Sequence, residues 1–308
     1  MMENLIEERS HPLLSILLFV ATVFLGFVVI GPIIGFFIAL PFYPGNFMTL
    51  AEELTSGQTS EAIRVPFMVL QGCATGIGLI AIPMMSYQFI SKMRVSRLFT
   101  ASSLLVFALT ALSVIAFMFP NSVVIEWNAE LSFSGSFWSW AREKEALAEK
   151  FTKFLTNFQS LGGFATVFFI IAVLPAIGEE FTFRGWLQPA MQKATGNPHI
   201  AIWVTAFIWS AFHFQFFGFV PRMLLGAMFG YMMYWSNNLW VPIVAHFVNN
   251  GFSVILLYLH QLKLVQFDAE STEALPLTYV IPFAILFVVL MVWLRKIIQP
   301  HEATIKSI

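Results

Sequence analysis

Residues 13–41 read LLSILLFVATVFLGFVVIGPIIGFFIALP, a run without a single charged side chain. A helix crosses the hydrocarbon core of a bilayer with about 20 apolar residues, so this run is long enough to span it. The preceding segment, MMENLIEERS, is acidic, and the apolar run far exceeds the roughly 7 to 15 residues of a signal-peptide core. We therefore expect the run to remain in the mature protein as a first membrane span.

The rest of the chain has the same apolar character. Of its 308 residues, 58% are hydrophobic and 11% are charged, against about 25% charged residues in a soluble domain. We predict an all-α fold, in which residues 1–308 form one integral membrane domain, a transmembrane helix bundle of about eight spans in contact with the lipid bilayer. The further windows that can span the bilayer, or nearly so, are approximately 65–90, 98–120, 164–191, 199–218, 222–236, 239–260 and 275–297.

The charges predict an orientation in the membrane. With 16 basic and 17 acidic residues the formal net charge is −1, so no global field favours nucleic acid as a partner. Short cytoplasmic loops carry an excess of Lys and Arg, and such residues follow the second and the eighth window: Lys92, Arg94, Arg97, Arg295, Lys296 and Lys306. We therefore expect both termini to be cytoplasmic, and a compact chain without a targeting sequence suits a bacterial cytoplasmic (inner) membrane.

The segment 121–163 is predicted to be an extramembrane loop that contains an amphipathic helix. Its sequence AREKEALAEKFTKFLTNF spaces Leu147, Phe151, Phe154 and Phe158 on one helical face, with charges opposite. This pattern is typical of a helix that lies on the membrane surface. A helix packed against the other spans is an equally good interpretation.

Small residues four apart let membrane helices approach closely. Such pairs occur at Gly31 and Gly35, at Gly72 and Gly76, and at Gly226 and Gly230. They predict close helix contacts within a bundle. The single cysteine, Cys73, excludes an internal disulfide.

Ionisable side chains in the membrane are the strongest functional signal in this chain. Each costs about 2.5 to 3.5 kcal/mol at the centre of a span, so those that remain face a cavity or a partner. They fall in the fourth, fifth and seventh windows: Glu179, Glu180 and Arg184 within AIGEEFTFRGW (176–186), then His213, then His246 with Asn250.

The spacing of these residues distinguishes an acid that can form an ion pair on its own helix from one that cannot. Glu180 and Arg184 are four apart, the spacing at which two side chains meet on one helix face. Glu179 points about 100° away around the helix, so it needs another partner. His246 and Asn250 are also four apart, and the other histidine comes from a different helix. We predict that these groups converge with Glu179, although interhelical hydrogen bonding alone is the simpler alternative for either histidine.

Helical rise gives the expected depth of this site. Glu179 is roughly 18 Å from the end of its window at 191, and His213 is roughly 21 Å from the start of its window at 199. His246 is only roughly 10 Å into its own window. A shared site therefore requires the hairpin of the fourth and fifth spans to extend beyond the bilayer, and it places the site in the cytoplasmic half of the membrane.

A carboxylate beside two imidazoles in a cavity of low dielectric constant favours hydrolysis. The carboxylate acts as a base on water, and the histidines act as metal ligands or as hydrogen-bond donors to an oxyanion. Neither the HExxH signature of zinc proteases nor the GxSxG serine elbow occurs in the sequence. Any metal site must therefore be assembled from separate helices.

Three motifs follow one another on the predicted spans: Glu179-Glu180-x-x-x-Arg184, Trp209-x-x-x-His213 and His246-x-x-x-Asn250. In this order they resemble the CAAX protease and bacteriocin-processing (CPBP, or Abi) family of intramembrane metalloproteases. That family includes the endopeptidase that removes the last three residues of prenylated CAAX proteins. The resemblance covers about residues 164–255, which would be the catalytic core.

The resemblance implies a role for each matching residue. Glu179 would activate water with His213 beside it, while His246 and Asn250 would bind a metal or hold the oxyanion. It also implies a divalent metal, zinc, with Glu179, His213 and His246 as its protein ligands. Glu180 and Arg184 would form a supporting structural pair.

The motifs also contain one departure from the family pattern. Trp209 stands where the family often has Phe, and we expect it to change the shape of the cavity while the chemistry is retained.

Two functions of different classes fit these patterns. The first is an intramembrane endopeptidase, metallo- or glutamate-dependent, that cleaves a membrane-associated peptide or protein, prenylated substrates included. The second is a non-catalytic membrane protein, such as a scaffold, an immunity protein or a transporter, in which the polar cluster is structural or passes ions. A transporter usually shows inverted repeats, and the sequence contains none that we can identify.

Overall fold

The computed structural model describes residues 11–91, 94–132, 134–266 and 271–299. Within these ranges every regular element is a helix, so the predicted all-α fold is confirmed. Lys92 and Lys306, which supported the predicted orientation, lie outside the described residues. The helices are α1 (Pro12–Phe42), α2 (Phe47–Thr55), α3 (Glu61–Phe89), α4 (Leu104–Ala129), α5 (Ser136–Thr156), α6 (Leu161–Thr195), α7 (Pro198–Ala211), α8 (Phe216–Ser236), α9 (Trp240–Gln261) and α10 (Leu277–Ile298).

Seven of the described helices are long and apolar enough to cross a membrane, namely α1, α3, α4, α6, α8, α9 and α10. The expected fifth span corresponds to α7, which is apolar but has only 14 residues. It ends at Ala211 because the chain turns there, and Phe214 adopts a positive φ of 54° that a helix does not allow. The protein is therefore a multi-pass membrane protein whose seven long helices are close to the eight spans expected.

Helix α6 is the central helix of the bundle. Phe181, Phe183, Trp186 and Leu187 on this helix are all almost completely buried. The Trp186 indole donates a hydrogen bond to Ser15 Oγ on α1 at 3.1 Å. The acid pair of the fourth window therefore lies within the interior of the bundle.

Two segments of α6 are wound more widely than an α-helix, as π-helix: Phe169–Val173 and Glu180–Leu187. Pro175 lies between them. Proline has no N–H, so it leaves the carbonyl four residues earlier without its helical donor. In a regular α-helix that carbonyl would belong to Ile171. Wide turns of this kind often accompany a functional site.

Glycines allow close contact between some of the helices. A Cβ on Gly31 would lie 2.9 Å from Ala74 Cα, and one on Gly226 would lie 2.7 Å from Trp209 Cε3. The first and third glycine pairs therefore mark close contacts, as predicted. The prediction for the middle pair was wrong, because a Cβ on Gly76 would meet nothing within 4 Å and one on Gly72 only Ile170 at 3.8 Å.

The segment between the third and fourth spans is shorter than predicted, because α4 continues to Ala129. Its helix α5 packs against the spans: the Phe151 ring stacks on Phe67 with centroids 4.7 Å apart. Phe158 lies beyond the end of α5 and is buried as well. Of the two interpretations of the amphipathic pattern, packing on the other helices accounts for these contacts.

Candidate active site

Glu180 and Arg184 form a buried ion pair that joins three helices. Arg184 Nη1 donates to Glu180 Oε1 at 2.8 Å, and both side chains are 0% exposed. The same oxygen accepts from His246 Nδ1 on α9 at 2.8 Å. Arg184 Nη2 donates to the carbonyl oxygen of Gly226 on α8 at 2.9 Å. A charge at this depth is stable only because it is paired and hydrogen-bonded.

Glu179 points away from this pair, toward α7. Its Oε2 accepts a hydrogen bond from Trp209 Nε1 at 2.6 Å, and His213 Nε2 lies 3.9 Å from the same oxygen. The Glu179 side chain is 12% exposed and that of His213 is 26% exposed. Glu179, for which the helical spacing predicted no partner on its own helix, therefore lies beside the imidazole of His213.

The His213 ring is oriented by the helix that precedes it. Its Nδ1 lies 2.8 Å from the carbonyl oxygen of Trp209. A carbonyl only accepts, so Nδ1 carries the proton, and in the neutral ring Nε2 is an acceptor. That acceptor faces the Glu179 carboxylate.

His246 and Asn250 are joined to each other and to the backbone of α6. His246 Nδ1 donates to Glu180, so its Nε2 accepts from Asn250 Nδ2 at 3.2 Å. Asn250 Nδ2 also donates to the carbonyl oxygen of Ile171 at 3.0 Å. In a regular α-helix the donor to this carbonyl would be the N–H that Pro175 lacks. Both amide protons of Asn250 are therefore engaged.

The site lies at unequal distances from the ends of the helices that form it. Glu180 is roughly 22 Å along the helix from the end of α6 at 195, whereas His246 is roughly 9 Å from the start of α9 at 240. The two side chains nevertheless touch. Counted along the helices, α6 thus has roughly 13 Å more helix beyond the site than α9 has before it, and the extension of the hairpin beyond the bilayer stays a prediction.

The side chains do not form a ready three-ligand metal site. Among the described residues there is no group of three or more His, Cys, Asp and Glu side chains placed to hold a metal ion. Glu179 and His213 lie together, but both ring nitrogens of His246 have other partners. As arranged here, Glu179 and His213 could both contribute to a metal site, but His246 is not placed with them as a third ligand.

A series of hydrogen-bonded polar side chains near His213 was missed by the sequence analysis. Arg222 Nη2 donates to Gln215 Oε1 at 2.9 Å, and Gln215 Nε2 donates to Glu145 Oε1 on α5 at 3.3 Å. Burial raises the pKa of the Glu145 carboxyl above its usual range. Arg222 is a charged residue in an apolar window, which is the same signal that singled out Glu179. It was not singled out, because it stands at the predicted start of a span, where charged residues are common.

Comparison with known proteins agrees with the three motifs. Residues 161–252 match the family model described as type II CAAX prenyl endopeptidase Rce1-like. The uncharacterized protein YpbD of Bacillus subtilis (strain 168) is 33% identical over 82 residues, which are 25% of this chain and 39% of YpbD. The chain thus matches well under half of that relative's length. No solved structure matches the chain at a comparable level of significance.

The matched segment contains all three motifs, including both buried acids and both histidines of the site. It also coincides with the part of the chain in which the structure gathers these side chains. The match supports a peptidase embedded in the membrane. Residues 161–252 therefore carry the Rce1-like CAAX prenyl endopeptidase family signature that the motifs indicated.

Proposed function

We propose that this protein is an intramembrane endopeptidase in which Glu179 activates water to hydrolyse a peptide bond of a membrane-associated substrate. One observation carries the proposal: Glu179 is a largely buried carboxylate with no Lys or Arg partner within ion-pair distance in the described residues, and its Oε2 lies 3.9 Å from His213 Nε2. In its neighbour Glu180, Oε1 binds both Arg184 and His246, and Oε2 is buried without a hydrogen-bond partner in the described residues. Glu179 is the acid without an Arg partner, so we assign the proton transfer to it.

The chemistry follows from which atoms are acceptors. Glu179 Oε1 and His213 Nε2 accept no hydrogen bond from a donor in the described parts of the chain. A water molecule between them would donate its protons to these two atoms while its oxygen attacks the peptide carbonyl carbon. Glu179 then carries the proton and delivers it to the leaving amine.

Asn250 is the proposed donor to the oxyanion of the tetrahedral intermediate, and His246 positions it through Nε2. Asn250 gives its two protons to His246 Nε2 and to the Ile171 carbonyl. To reach a substrate, it would release the bond to His246 and keep the bond to the Ile171 carbonyl. A donor to the oxyanion lowers the barrier by about 2.7 to 4 kcal/mol in known cases.

The zinc ion implied by the resemblance remains a separate proposal. When bound, such an ion would polarise the carbonyl and acidify water. Glu179 and His213 are the side chains that would contribute to it. Metal analysis of the purified protein, with the Glu179→Gln variant in parallel, tests the proposal directly.

We also propose the setting of the reaction. The substrate would be a membrane-associated peptide or protein, with prenylated proteins among the candidates, and the membrane a bacterial cytoplasmic membrane with both termini of the chain in the cytoplasm. Peptides carrying a lipid anchor, compared with the same peptides without one, distinguish this substrate class.

A non-catalytic role is the competing proposal, because the hydrogen bonds and ion pair that link Glu180, Arg184, His246 and Asn250 join α6 to α9 and have a structural use. Purified protein incubated with a library of membrane-tethered peptides separates the two. We expect Glu179→Gln to lower cleavage by about 10² to 10⁴-fold and to lower the melting temperature only slightly. If the Glu179→Ala variant cleaved peptides at the wild-type rate, the proposal that the protein is a hydrolase using Glu179 would be refuted.

A further inference from the structure

The indole of Trp209 contacts most of the polar side chains of the site. Its N–H donates to Glu179 at 2.6 Å. The ring meets His213 edge to face with centroids 5.2 Å apart, and meets His246 in the same way at 5.7 Å. The Arg184 guanidinium lies 4.8 Å from its centroid. The side chain is 2% exposed, so the protein interior alone determines its position.

The indole is held in place by α8. A Cβ on Gly226 would lie 2.7 Å from Trp209 Cε3, so the ring occupies the space that this glycine leaves open. The Gly226 carbonyl also fixes Arg184 at 2.9 Å, and this guanidinium covers the ring. Phe229 lies against the indole with centroids 6.1 Å apart. In a densely packed interior a ring enclosed in this way does not rotate freely.

Because the indole N–H is fixed, it binds one particular carboxylate oxygen of Glu179 and leaves the other without a hydrogen bond among the described residues. An indole N–H is a donor only and exchanges no proton with a carboxylate in catalysis. It occupies Oε2, whereas Oε1 accepts from no donor within the described ranges. A phenyl ring at this position would fill similar space but would leave both oxygens free to rotate.

We propose that Trp209 is a positioning residue whose indole N–H holds Glu179 so that Oε1 faces the attacking water. The inference rests on the proposed role of Glu179 as general base. In the step itself one O–H bond of water breaks, its proton passes to Oε1, and the water oxygen bonds to the peptide carbonyl carbon. Trp209 is neither consumed nor protonated.

The first test is kinetic. Trp209→Phe keeps an apolar ring and removes the donor, and we expect kcat to fall about tenfold to a hundredfold, the range for losing a hydrogen bond to a charged group. KM should stay within about threefold, because the bond orients a catalytic group and touches no substrate. Trp203→Phe on the same helix is the control: this side chain is 41% exposed, and its removal should leave both constants unchanged. A Trp209→Phe variant with the wild-type kcat overturns the proposal.

The second test needs no activity, so it separates failure of this inference from failure of the proposed function. In protein labelled with ¹⁵N-indole, the Trp209 signal is assigned by its absence in Trp209→Phe, or in Trp209→His if the former does not fold. A short bond to a carboxylate places the indole proton downfield. We expect Glu179→Gln to move this signal upfield while that of Trp203 stays in place. A Trp209 signal indifferent to Glu179→Gln overturns the proposal.

Discussion

The adjacent acids Glu179 and Glu180 should respond in opposite ways to the same substitution. Glu180→Gln removes the only carboxylate within ion-pair distance of Arg184 in the described residues, and both side chains are 0% exposed. Removing one partner of such a pair leaves a buried charge uncompensated, which costs about 3 to 5 kcal/mol. Glu179→Gln retains an acceptor for the Trp209 N–H, so we expect a loss of about 1 kcal/mol.

The assay is reversible unfolding in mixed detergent micelles, followed by tryptophan fluorescence for wild type and both variants. Peptide cleavage is measured on the same preparations. Glu179→Gln should be inactive and nearly as stable as wild type, whereas Glu180→Gln should be destabilised whether or not it retains activity. If the two variants unfold within about 1 kcal/mol of each other, a smaller gap than the buried pair requires, the division of roles between the two acids is refuted.

Three further predictions follow from packing, from backbone hydrogen bonding and from pH. Gly226→Ala should destabilise the fold by about 1 to 3 kcal/mol through overpacking, because its Cβ would lie 2.7 Å from an indole carbon of Trp209. Gly76→Ala is the control, since its Cβ would meet nothing within 4 Å and should leave the free energy of unfolding unchanged. Unfolding measurements compare the two variants. Asn250→Ala should cost about 1 to 3 kcal/mol by removing the side-chain donor to the Ile171 carbonyl. Adding Pro175→Ala supplies a backbone N–H four residues after Ile171 and should recover part of this loss; no recovery in the double variant would show that this N–H does not replace the Asn250 donor. Ionisation opposes burial of Glu145, whose folded pKa is raised, so stability is lost as the pH rises through that pKa. Glu145→Gln should therefore raise the melting temperature at pH 8 and change it little at pH 4, and an equal shift at both values would argue against this cause.

Local spacing predicted the parts of the site that lie on one helix. The contact between Glu180 and Arg184 and that between His246 and Asn250 both follow from a separation of four residues, and the structure shows both. The direction of Glu179 away from Glu180 follows from the helical angle in the same way. None of these contacts depends on how the helices are arranged around one another.

Contacts between helices were predicted less well. The pair Gly72 and Gly76 has the same spacing as Gly226 and Gly230, yet only the latter pair meets a neighbouring helix closely. The fifth window was expected to span the membrane, but α7 ends at Ala211. In both cases the outcome depends on which helix lies opposite, and spacing within one helix does not contain that information.

The sequence by itself determined an apolar all-helical membrane protein, its approximate spans, and the set of buried polar residues, because hydrophobicity and helical periodicity are properties of the local chain. Only the tertiary structure decided that Glu179 contacts Trp209 and His213. The same holds for the bond of His246 to Glu180 and for the bond of Asn250 to the Ile171 carbonyl on α6. Each of these bonds joins two helices distant in sequence, and its existence depends on the packing of the whole bundle.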